Sequence, residues 1–402
     1  MRFLAVLSAE VNEMGSKANF DAVQKRKKQR TKNNLKKLLL FLLIAAFCGY
    51  LYLQRDAWIP KLEGIGTRYE SVITQNDGTL ADGNFPLSIT KNADYRAAVV
   101  ENDLFILNAS YLYSLHGDLK ETRQLAYSKP ILKSNDYFAL LYENGGTRFR
   151  VDRQSGNVYT KTMDQAIITG AISSTGVVAL VTESDLYSCV LQIFDKNGKK
   201  LYTRNCIERL SDIAFNEDST GCVFTELSAV DGDVTATLKC IQFDTTDYTW
   251  ESEPLTTLSL ALSLTENNHA CVIGDTTCAY YDDKGNLESQ YDYGGTLENY
   301  AVDAGNAAVL IRDEEKRETK LVIFPGSASE PIEIVVNGDA KAVQVYGDRV
   351  YMMNAETVIA YNFSGKAVAT VRLDSTYDSF LKKDNYLFLL RYDKIDRVDF
   401  KE

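Results

Sequence analysis

A phrase that recurs about every forty residues constrains this chain more than any other feature. In most copies an apolar segment is followed by Asp or Asn, a short turn that ends in Gly, and a second alternating segment. The copies centre on Gly117, Gly156, Gly198, Gly285, Gly326 and Gly365, at intervals of 39, 42, 87, 41 and 39 residues. The long interval holds two steps, and a degenerate copy, CIQFDTTDYTWES, lies near its middle. A unit that repeats at this length buries its apolar face against its neighbours.

The residue types in the phrase predict hairpin turns. Side chains of Asp or Asn bond nearby backbone amides, and Gly adopts a positive φ without steric cost. We therefore predict structural turns at the following residues: Gly117, Asp152, Gly156, Asp195, Gly198, Asp282, Gly285, Gly326 and Gly365.

Between the turns the sequence alternates with period two, and no segment after residue 60 shows a long helical period. Short strands and a repeat near forty residues predict an all-β fold of the β-propeller type, with four-stranded WD40-like blades. A β-sandwich of about 100 residues would not repeat at this spacing. Turns near positions 83, 117, 156, 198, 245, 285, 326 and 365 predict eight blades, with seven as the alternative.

The two ends of the propeller sequence predict how the ring closes. The last blade lacks a fourth strand before residue 402, and residues 84–90 alternate apolar Phe85, Leu87 and Ile89 with Pro86, Ser88 and Thr90. We expect residues 84–90 to complete the terminal blade, because a closed ring leaves no exposed sheet edge.

An uncharged segment of sixteen residues, Leu38–Leu53, follows a run of basic residues. At a rise of ~1.5 Å per residue it spans roughly 24 Å, and flanking polar residues can extend it across a bilayer. The pattern predicts one transmembrane helix at 38–54; a cleaved signal peptide is the alternative, although no small-residue cleavage site follows. The expected organisation is a basic leader at 1–37, the helix, a linker at 55–75 and a propeller at 76–402.

Charge divides sharply between the two sides of this helix. Residues 1–37 carry a net charge of +7 and the remainder −18. Positive charge stays on the cytoplasmic side, so we expect an extracytoplasmic propeller held in the cell membrane by a single pass. The acidic body argues against nucleic-acid binding.

Phrases such as PLSIT and SKPILKSNDYFALLYENGGTRFRV follow the basic leader and apolar segment. In this order they resemble a family of membrane-anchored propellers of Gram-positive bacteria that is classed only as a domain of unknown function. The resemblance covers nearly all of residues 35–402, and the repeats are also similar to quinoprotein-type and YVTN-type propellers. It implies a fold and a topology but no activity.

No arrangement of residues in the sequence points to a cofactor or a metal. The only tryptophans are Trp58 and Trp250, too few for the stacking that a quinone pocket requires. Residues 216–221 and the pair Asp231 and Asp233 lack calcium-loop spacing, so solvated turns are expected. Six of the seven cysteines follow residue 188 and allow fifteen pairings; most are expected to be buried in strands.

One local phrase, Asn144-Gly145-Gly146, predicts a tight hairpin turn. The functional hypothesis for this turn is that it exposes Tyr142, Glu143 and Arg148 on the rim as a recognition patch. The leading hypothesis is a non-catalytic docking or scaffold module with a protein partner in the envelope. A sensor of glycan or a small ligand and an envelope enzyme that uses carboxylates are the alternatives.

Overall fold

Strands make up the regular structure of the described residues. The computed structural model describes residues 74–76, 85–89, 95–108, 111–116, 119–125, 127–326, 330–336 and 339–400. The predicted leader, the predicted membrane helix at 38–54 and Gly117 lie outside these residues. Within the described ranges, no helix has the length and apolar character needed to cross a bilayer.

In the part of the chain that the structure describes, the strands pair into eight sheets. Sheet 1 contains β3 (Tyr95–Val100), β4 (Asp103–Asn108), β5 (Tyr111–His116) and β6 (Leu119–Gln124), and sheet 2 contains β7 (Pro130–Ser134), β8 (Ala139–Glu143), β9 (Arg148–Arg153) and β10 (Gly156–Thr162). Sheet 3 contains β11 (Ile167–Ile172), β12 (Val178–Thr182), β13 (Cys189–Phe194) and β14 (Lys200–Cys206). Sheet 4 contains β15 (Arg209–Phe215), β16 (Gly221–Val230), β17 (Asp233–Gln242) and β18 (Tyr248–Glu251), with β19 (Leu255–Thr256) also paired to β17.

The other four sheets repeat this arrangement. Sheet 5 contains β20 (Ser259–Leu264), β21 (Ala270–Gly274), β22 (Thr277–Tyr281) and β23 (Leu287–Asp292), and sheet 6 contains β24 (Thr296–Asp303), β25 (Asn306–Asp313), β26 (Glu318–Phe324) and β27 (Ile332–Val336). Sheet 7 contains β28 (Ala342–Tyr346), β29 (Arg349–Met353), β30 (Thr357–Asn362), β31 (Ala367–Arg372) and β1 (Thr74–Asn76). Sheet 8 contains β32 (Ser379–Lys383), β33 (Tyr386–Leu390), β34 (Lys394–Asp399) and β2 (Leu87–Ser88).

The sheets form a ring with their first strands innermost. Each first strand contacts the first strand of the next sheet, in the order β3, β7, β11, β15, β20, β24, β28 and β32, and β32 contacts β3 again. This is the arrangement of blades in a β-propeller. The predicted all-β propeller fold is therefore confirmed.

Sheet 8 joins the two ends of the propeller sequence. Strand β2 pairs antiparallel with β34, where Leu87 lies opposite Ile395 and Ser88 opposite Lys394. The Ile89 amide also donates to the Asp393 carbonyl at 2.8 Å. The prediction that this segment completes the terminal blade is confirmed for residues 85–89, the part of it that the structure describes.

A second segment near the N-terminal end of the propeller also joins a sheet. Strand β1 pairs in parallel with β31, the outermost strand of the hairpin series in sheet 7, with Thr74 opposite Ala369. Residues 74–75 had been assigned to the linker by the sequence prediction. Here they cover a sheet edge that would otherwise stay open.

The core lies between neighbouring sheets. All five residues of β12 and of β21 are buried, because both sides of these second strands are covered by adjacent sheets. One cluster joins Tyr142 and Phe149 of sheet 2 to Val178 and Leu180 of sheet 3. Continuous apolar runs in the sequence thus correspond to strands buried on both sides.

Polar side chains accept hydrogen bonds from backbone amides on the free edges of innermost strands. An innermost strand has a neighbour on only one side, so some of its amides need another acceptor. These acceptors come from the preceding sheet: Asp212 Oδ2 for the Leu262 amide at 2.9 Å, Asn299 Oδ1 for Val343 at 3.2 Å, and Gln344 Oε1 for Lys382 at 2.7 Å. The same device therefore links three pairs of sheets around the ring.

Candidate functional site

The propeller has two faces of different composition. Successive antiparallel strands reverse direction, so alternate turns emerge at opposite ends of each sheet. We call one end the repeat face; it carries turns between first and second strands, such as 135–138 and 384–385, and between third and fourth strands, such as 195–199 and 282–286. The link face carries turns between second and third strands, such as 183–188 and 231–232, and the links between sheets, such as 207–208.

The recurring sequence phrase forms turns on the repeat face. Asp195 Oδ1 accepts the amides of Asn197 and Lys199 at 2.9 and 2.7 Å. Asp282 Oδ1 accepts the corresponding amides two and four residues later at 2.9 and 2.8 Å. The predicted turn glycines that the structure describes have positive φ: Gly156 124°, Gly198 80°, Gly285 82°, Gly326 58° and Gly365 78°. These residues shape the hairpins.

Asp152 departs from this pattern. Its carboxylate is fully buried and pairs with Arg150, with Nη2 to Oδ1 at 2.7 Å. It also accepts a hydrogen bond from Asn157 Nδ2 at 2.7 Å. Asp152 therefore stabilises the hairpin from inside through a charged partner, whereas Asp195 and Asp282 bond the turn backbone directly.

The three residues considered as a recognition patch do not share a surface. Tyr142 is only 3% exposed and packs between sheets 2 and 3, where burial raises the pKa of its hydroxyl. The structure corrects the prediction that Tyr142 lies on the rim. Tyr142 belongs to β8, a second strand that neighbouring sheets cover from both sides. Only Glu143 and Arg148 come together, with Oε2 and Nη2 at 3.3 Å.

Glu143 is occupied by contacts within the protein. Its Oε1 accepts the backbone amide and the hydroxyl of Ser128 at 2.9 and 2.8 Å, and these bonds, with Arg148, hold the pKa of Glu143 below its ordinary value. The Arg148 guanidinium lies 5.0 Å from the centre of the Tyr127 ring. The pair thus fastens the link between sheets 1 and 2, and the outer part of Arg148 remains accessible on the link face.

Charged groups meet near the inner end of the repeat face. Lys383 Nζ lies 2.6 Å from Asp136 Oδ1, which joins the first turn of sheet 8 to that of sheet 2. The Glu101 amide of sheet 1 donates to the Asp136 carbonyl at 2.6 Å. Burial, together with the Asp136 charge, raises the pKa of Asp303 from sheet 6. These contacts hold the ring together across several sheets.

The link face presents an apolar cluster that we call the apolar corner: Leu186, Tyr187 and Ile207. Their exposed fractions are 86%, 43% and 81%. Leu186 and Tyr187 lie in the turn between β12 and β13, and Ile207 follows β14, so all three are at one end of the β13–β14 pair. Scattered exposed apolar side chains are common, but a cluster of them marks an interaction surface.

Hydrogen bonds fix the backbone of the apolar corner. The amides of Leu186 and Tyr187 both donate to Ser184 Oγ at 3.2 Å. Ser188 donates its amide to the Cys206 carbonyl at 3.1 Å and its hydroxyl to the Ile207 carbonyl. The exposed side chains are therefore carried on an ordered backbone, which lowers the entropic cost of binding a partner.

A long hairpin stands beside this cluster on the same face. Strands β16 and β17 have ten residues each and turn at Asp231 and Gly232, with φ of 53° and 96°. Val230 and Val234 flank the turn and are about half exposed. The sequence predicts a solvated turn at Asp231 and Asp233, and residues 231–233 are exposed in the structure. The Asp-Gly pair between alternating apolar residues is the hairpin signal.

The stretches considered for cofactors serve the fold. Asn216 Oδ1 accepts the Gly221 amide at 3.0 Å, and Asp218 Oδ1 accepts from Thr220 at 3.1 Å, so their oxygens bond within the loop. Trp250 lies on the outer strand β18 against Gly285. Over the described residues, no group of three or more His, Cys, Asp or Glu side chains is placed to hold a metal ion.

A cavity of about 430 Å³ opens between the outer parts of sheets 4 and 5. Its walls include Glu251, Glu253, Tyr281, Asn286 and Gln290. Glu251 is partly engaged by Lys239, with Oε2 3.5 Å from Nζ. The groove combines carboxylates with amide groups, which suits a polar ligand.

Comparisons with known proteins agree with the fold. A family described as a family of unknown function (DUF5711) matches residues 95–400. No curated protein matches this chain in sequence. BamB from Moraxella catarrhalis is similar in structure, with a TM-score of 0.53 and 11% identity, over 81% of this chain and 98% of that one. Sqt1 from Saccharomyces cerevisiae has a TM-score of 0.55 and 10% identity, over 80% of this chain and all of that one. At these identities the likeness extends to the fold alone.

Proposed function

The chain belongs to the DUF5711 family of unknown function, and we propose that it is a membrane-anchored, extracytoplasmic propeller that docks a protein partner in the cell envelope through its link face. The observation that carries the docking role is the apolar corner, where Leu186 and Ile207 are more than four-fifths exposed on an ordered backbone. The location is supported by the basic leader and the apolar segment 38–53.

The chemistry of the apolar corner favours a protein as the occupant. Binding energy at protein interfaces is concentrated in a few apolar and aromatic side chains that become fully buried. Leu186 and Ile207 supply the aliphatic area, and Tyr187 adds an aromatic ring with one polar tip. Arg209 and Glu208 flank these residues and provide a polar rim; the Arg209 guanidinium already donates to the Ser188 carbonyl at 3.1 Å.

The experiment is site-specific photo-crosslinking in intact cells. A photoreactive amino acid replaces Leu186 or Ile207 in the full-length protein, and it replaces Leu201 in a matched control. Leu201 is also exposed and lies on β14 of the same sheet, but at the opposite end of that strand from Cys206. We expect one reproducible protein adduct from positions 186 and 207, removed by protease added outside the cells, and none from 201.

The proposal has clear contrary results. Equal adducts from all three positions would show that contacts are unspecific, and adducts that resist external protease would contradict the extracytoplasmic location. If only the control position or wall glycan were labelled, the polar groove at Glu251 and Glu253 would become the candidate site for a ligand.

A further inference from the structure

The six described cysteines all carry free thiols in this structure. They fall into three couples on adjacent strands: Cys189 with Cys206, Cys222 with Cys240, and Cys271 with Cys278. Strand register decides which of these couples can form a disulfide, because side chains alternate between the two sides of a sheet.

Register excludes the couple in sheet 4. Cys222 lies opposite Ile241, and Cys240 lies opposite Val223. The two cysteines are therefore one register step apart and point to opposite sides of the sheet. Cys222 packs in the cluster between sheets 3 and 4, whereas Cys240 packs against the cluster between sheets 4 and 5.

Register also disfavours the couple in sheet 5. Cys271 lies opposite Tyr280 and Cys278 opposite Ile273, so the two are diagonal neighbours on one side of the sheet. Diagonal Cα atoms are roughly 7–8 Å apart, beyond the usual disulfide range. The two sulfur atoms lie 4.0 Å apart in contact without a bond, and both side chains are fully buried.

Cys189 and Cys206 alone lie directly opposite each other across antiparallel strands. Opposed Cα atoms in such a pair are about 4.5–5.5 Å apart, which falls within the range that a disulfide spans. Both side chains point into the same core cluster.

The position of this couple also allows exchange with a partner in solution. Cys189 is the first residue of β13, and Cys206 is the last residue of β14. Both adjoin the turn and link that carry Leu186, Tyr187 and Ile207. Strand ends open locally more readily than strand centres, so a reagent can reach these sulfur atoms without global unfolding.

We propose that Cys189 and Cys206 are a redox-active couple that closes to a reversible disulfide and stiffens the turn 183–188 and the link 207–208. The bond itself does not depend on the docking role proposed above. Its oxidant is a second disulfide, in a protein or a small molecule, of the kind that oxidising compartments outside the cytoplasm maintain.

The chemistry balances as thiol–disulfide exchange. The Cys189 thiolate attacks one sulfur of the oxidant, whose other sulfur leaves as a thiolate. Cys206 then loses its proton and attacks the Cys189 sulfur, which releases the second half of the oxidant as a thiolate. Two protein thiols are oxidised, one external disulfide is reduced to two thiols, and both protons pass to the solvent or the released thiolates.

Cys189 suits the role of the attacking sulfur. A hydrogen bond from the Cys206 thiol lowers the pKa of Cys189 below its ordinary value, and the Leu210 amide and the Arg209 charge act in the same direction. In the reduced form its Sγ lies 3.4 Å from the Glu208 carbonyl, to which the thiol donates. A lowered pKa raises the fraction of thiolate, which is the form that attacks a disulfide.

The test uses the full-length protein in detergent, equilibrated with mixtures of reduced and oxidised glutathione. Remaining thiols are alkylated after denaturation, and peptides are identified by mass spectrometry. In oxidising mixtures we expect complete loss of alkylation at Cys189 and Cys206 and a linked peptide pair lacking two hydrogen atoms. Cys222, Cys240, Cys271 and Cys278 should stay alkylated, and reduced glutathione should restore both thiols.

Hydrogen exchange provides the second readout. The Ser188 amide should exchange on the order of tenfold more slowly in the oxidised protein, because the disulfide prevents fraying of the strand ends. Cys206→Ala should abolish this difference, and Cys240→Ala, the matched control, should retain it. Alkylation of Cys189 and Cys206 in every mixture, linkage of Cys271 to Cys278 instead, or an unchanged Ser188 rate would each overturn the proposal.

Discussion

Removing the apolar side chains that β2 brings to sheet 8 should strongly destabilise the propeller. The perturbation is the triple variant Phe85→Ala, Leu87→Ala and Ile89→Ala. All three side chains are partly buried and pack against the cluster between sheets 1 and 8, which includes Phe388 and Ile395. The ring centroids of Phe85 and Phe388 are 5.8 Å apart.

The size of the effect follows from this burial. Truncation to Ala costs about 2–5 kcal/mol for a fully buried Leu or Ile and about 3–5 kcal/mol for Phe. Since each of these residues is roughly two-thirds buried or more, we expect about two-thirds of each value, or about 5–10 kcal/mol in total. A domain is stable by only about 5–15 kcal/mol, so the variant should lose a large part of its free energy of unfolding.

The assay is urea unfolding of the full-length protein, combined with hydrogen exchange of β34. A control triple variant changes exposed apolar residues on outer strands: Val158→Ala, Leu201→Ala and Val335→Ala. Each exposed change should cost no more than about 0.5 kcal/mol. Amides near Ile395 should lose protection only in the closure variant; equal unfolding midpoints in the two triple variants would refute the assigned role of β2.

Two further predictions concern local features of the fold. Gly285→Ala and Gly294→Ala both place Ala at positive φ, but only the Cβ at position 285 would collide, at 2.5 Å from the Trp250 ring. We expect Gly285→Ala to lower the free energy of unfolding by about 1–3 kcal/mol more than Gly294→Ala does. Equal melting temperatures of the two variants would contradict the collision. Burial raises the pKa of Asp212 from its ordinary value, so the folded protein holds this proton more tightly than the unfolded chain. The contribution of Asp212 to the free energy of unfolding therefore falls as pH rises from about 4 through the raised pKa. Asp212→Asn keeps an acceptor for the Leu262 amide but removes the titration. In urea unfolding, the variant should be more stable than the wild type at pH 7, and this difference in stability should shrink towards pH 4. A difference in stability that does not change with pH would exclude the charged form of Asp212 as the cause.

The parts of the fold that were predictable from the sequence depend on local chemistry. The turns at Asp195 and Asp282 are built from a side chain and amides within four residues, so the spacing in the sequence reports them directly. Ring closure was predictable because Phe85, Leu87 and Ile89 alternate with polar residues, as in a strand with one covered side. Both predictions rest on patterns within short stretches of sequence.

The candidate site was less predictable because exposure depends on neighbouring sheets. The hairpin at Asn144 is present, and Gly145 has a φ of 77°, yet sheet 3 covers Tyr142. Leu186 and Ile207, in contrast, are apolar residues that no pattern in the sequence marks as exposed. They are exposed because the backbone around them is bonded by Ser184 and Ser188, which holds their side chains outside the sheet contact.

The cysteines show that a difference of one residue in spacing can decide whether two cysteines are able to form a disulfide. Cys189 and Cys206 are separated by 17 positions and Cys222 and Cys240 by 18, nearly the same spacing in consecutive sheets. In sheet 3 the register places the first couple opposite each other. In sheet 4 the register offsets the second couple by one residue and turns its members to opposite sides. Because a one-residue shift reverses every side chain of a strand, spacing alone could not choose among fifteen pairings. Register makes that choice, and it places the one couple suited to a disulfide directly beneath the apolar corner.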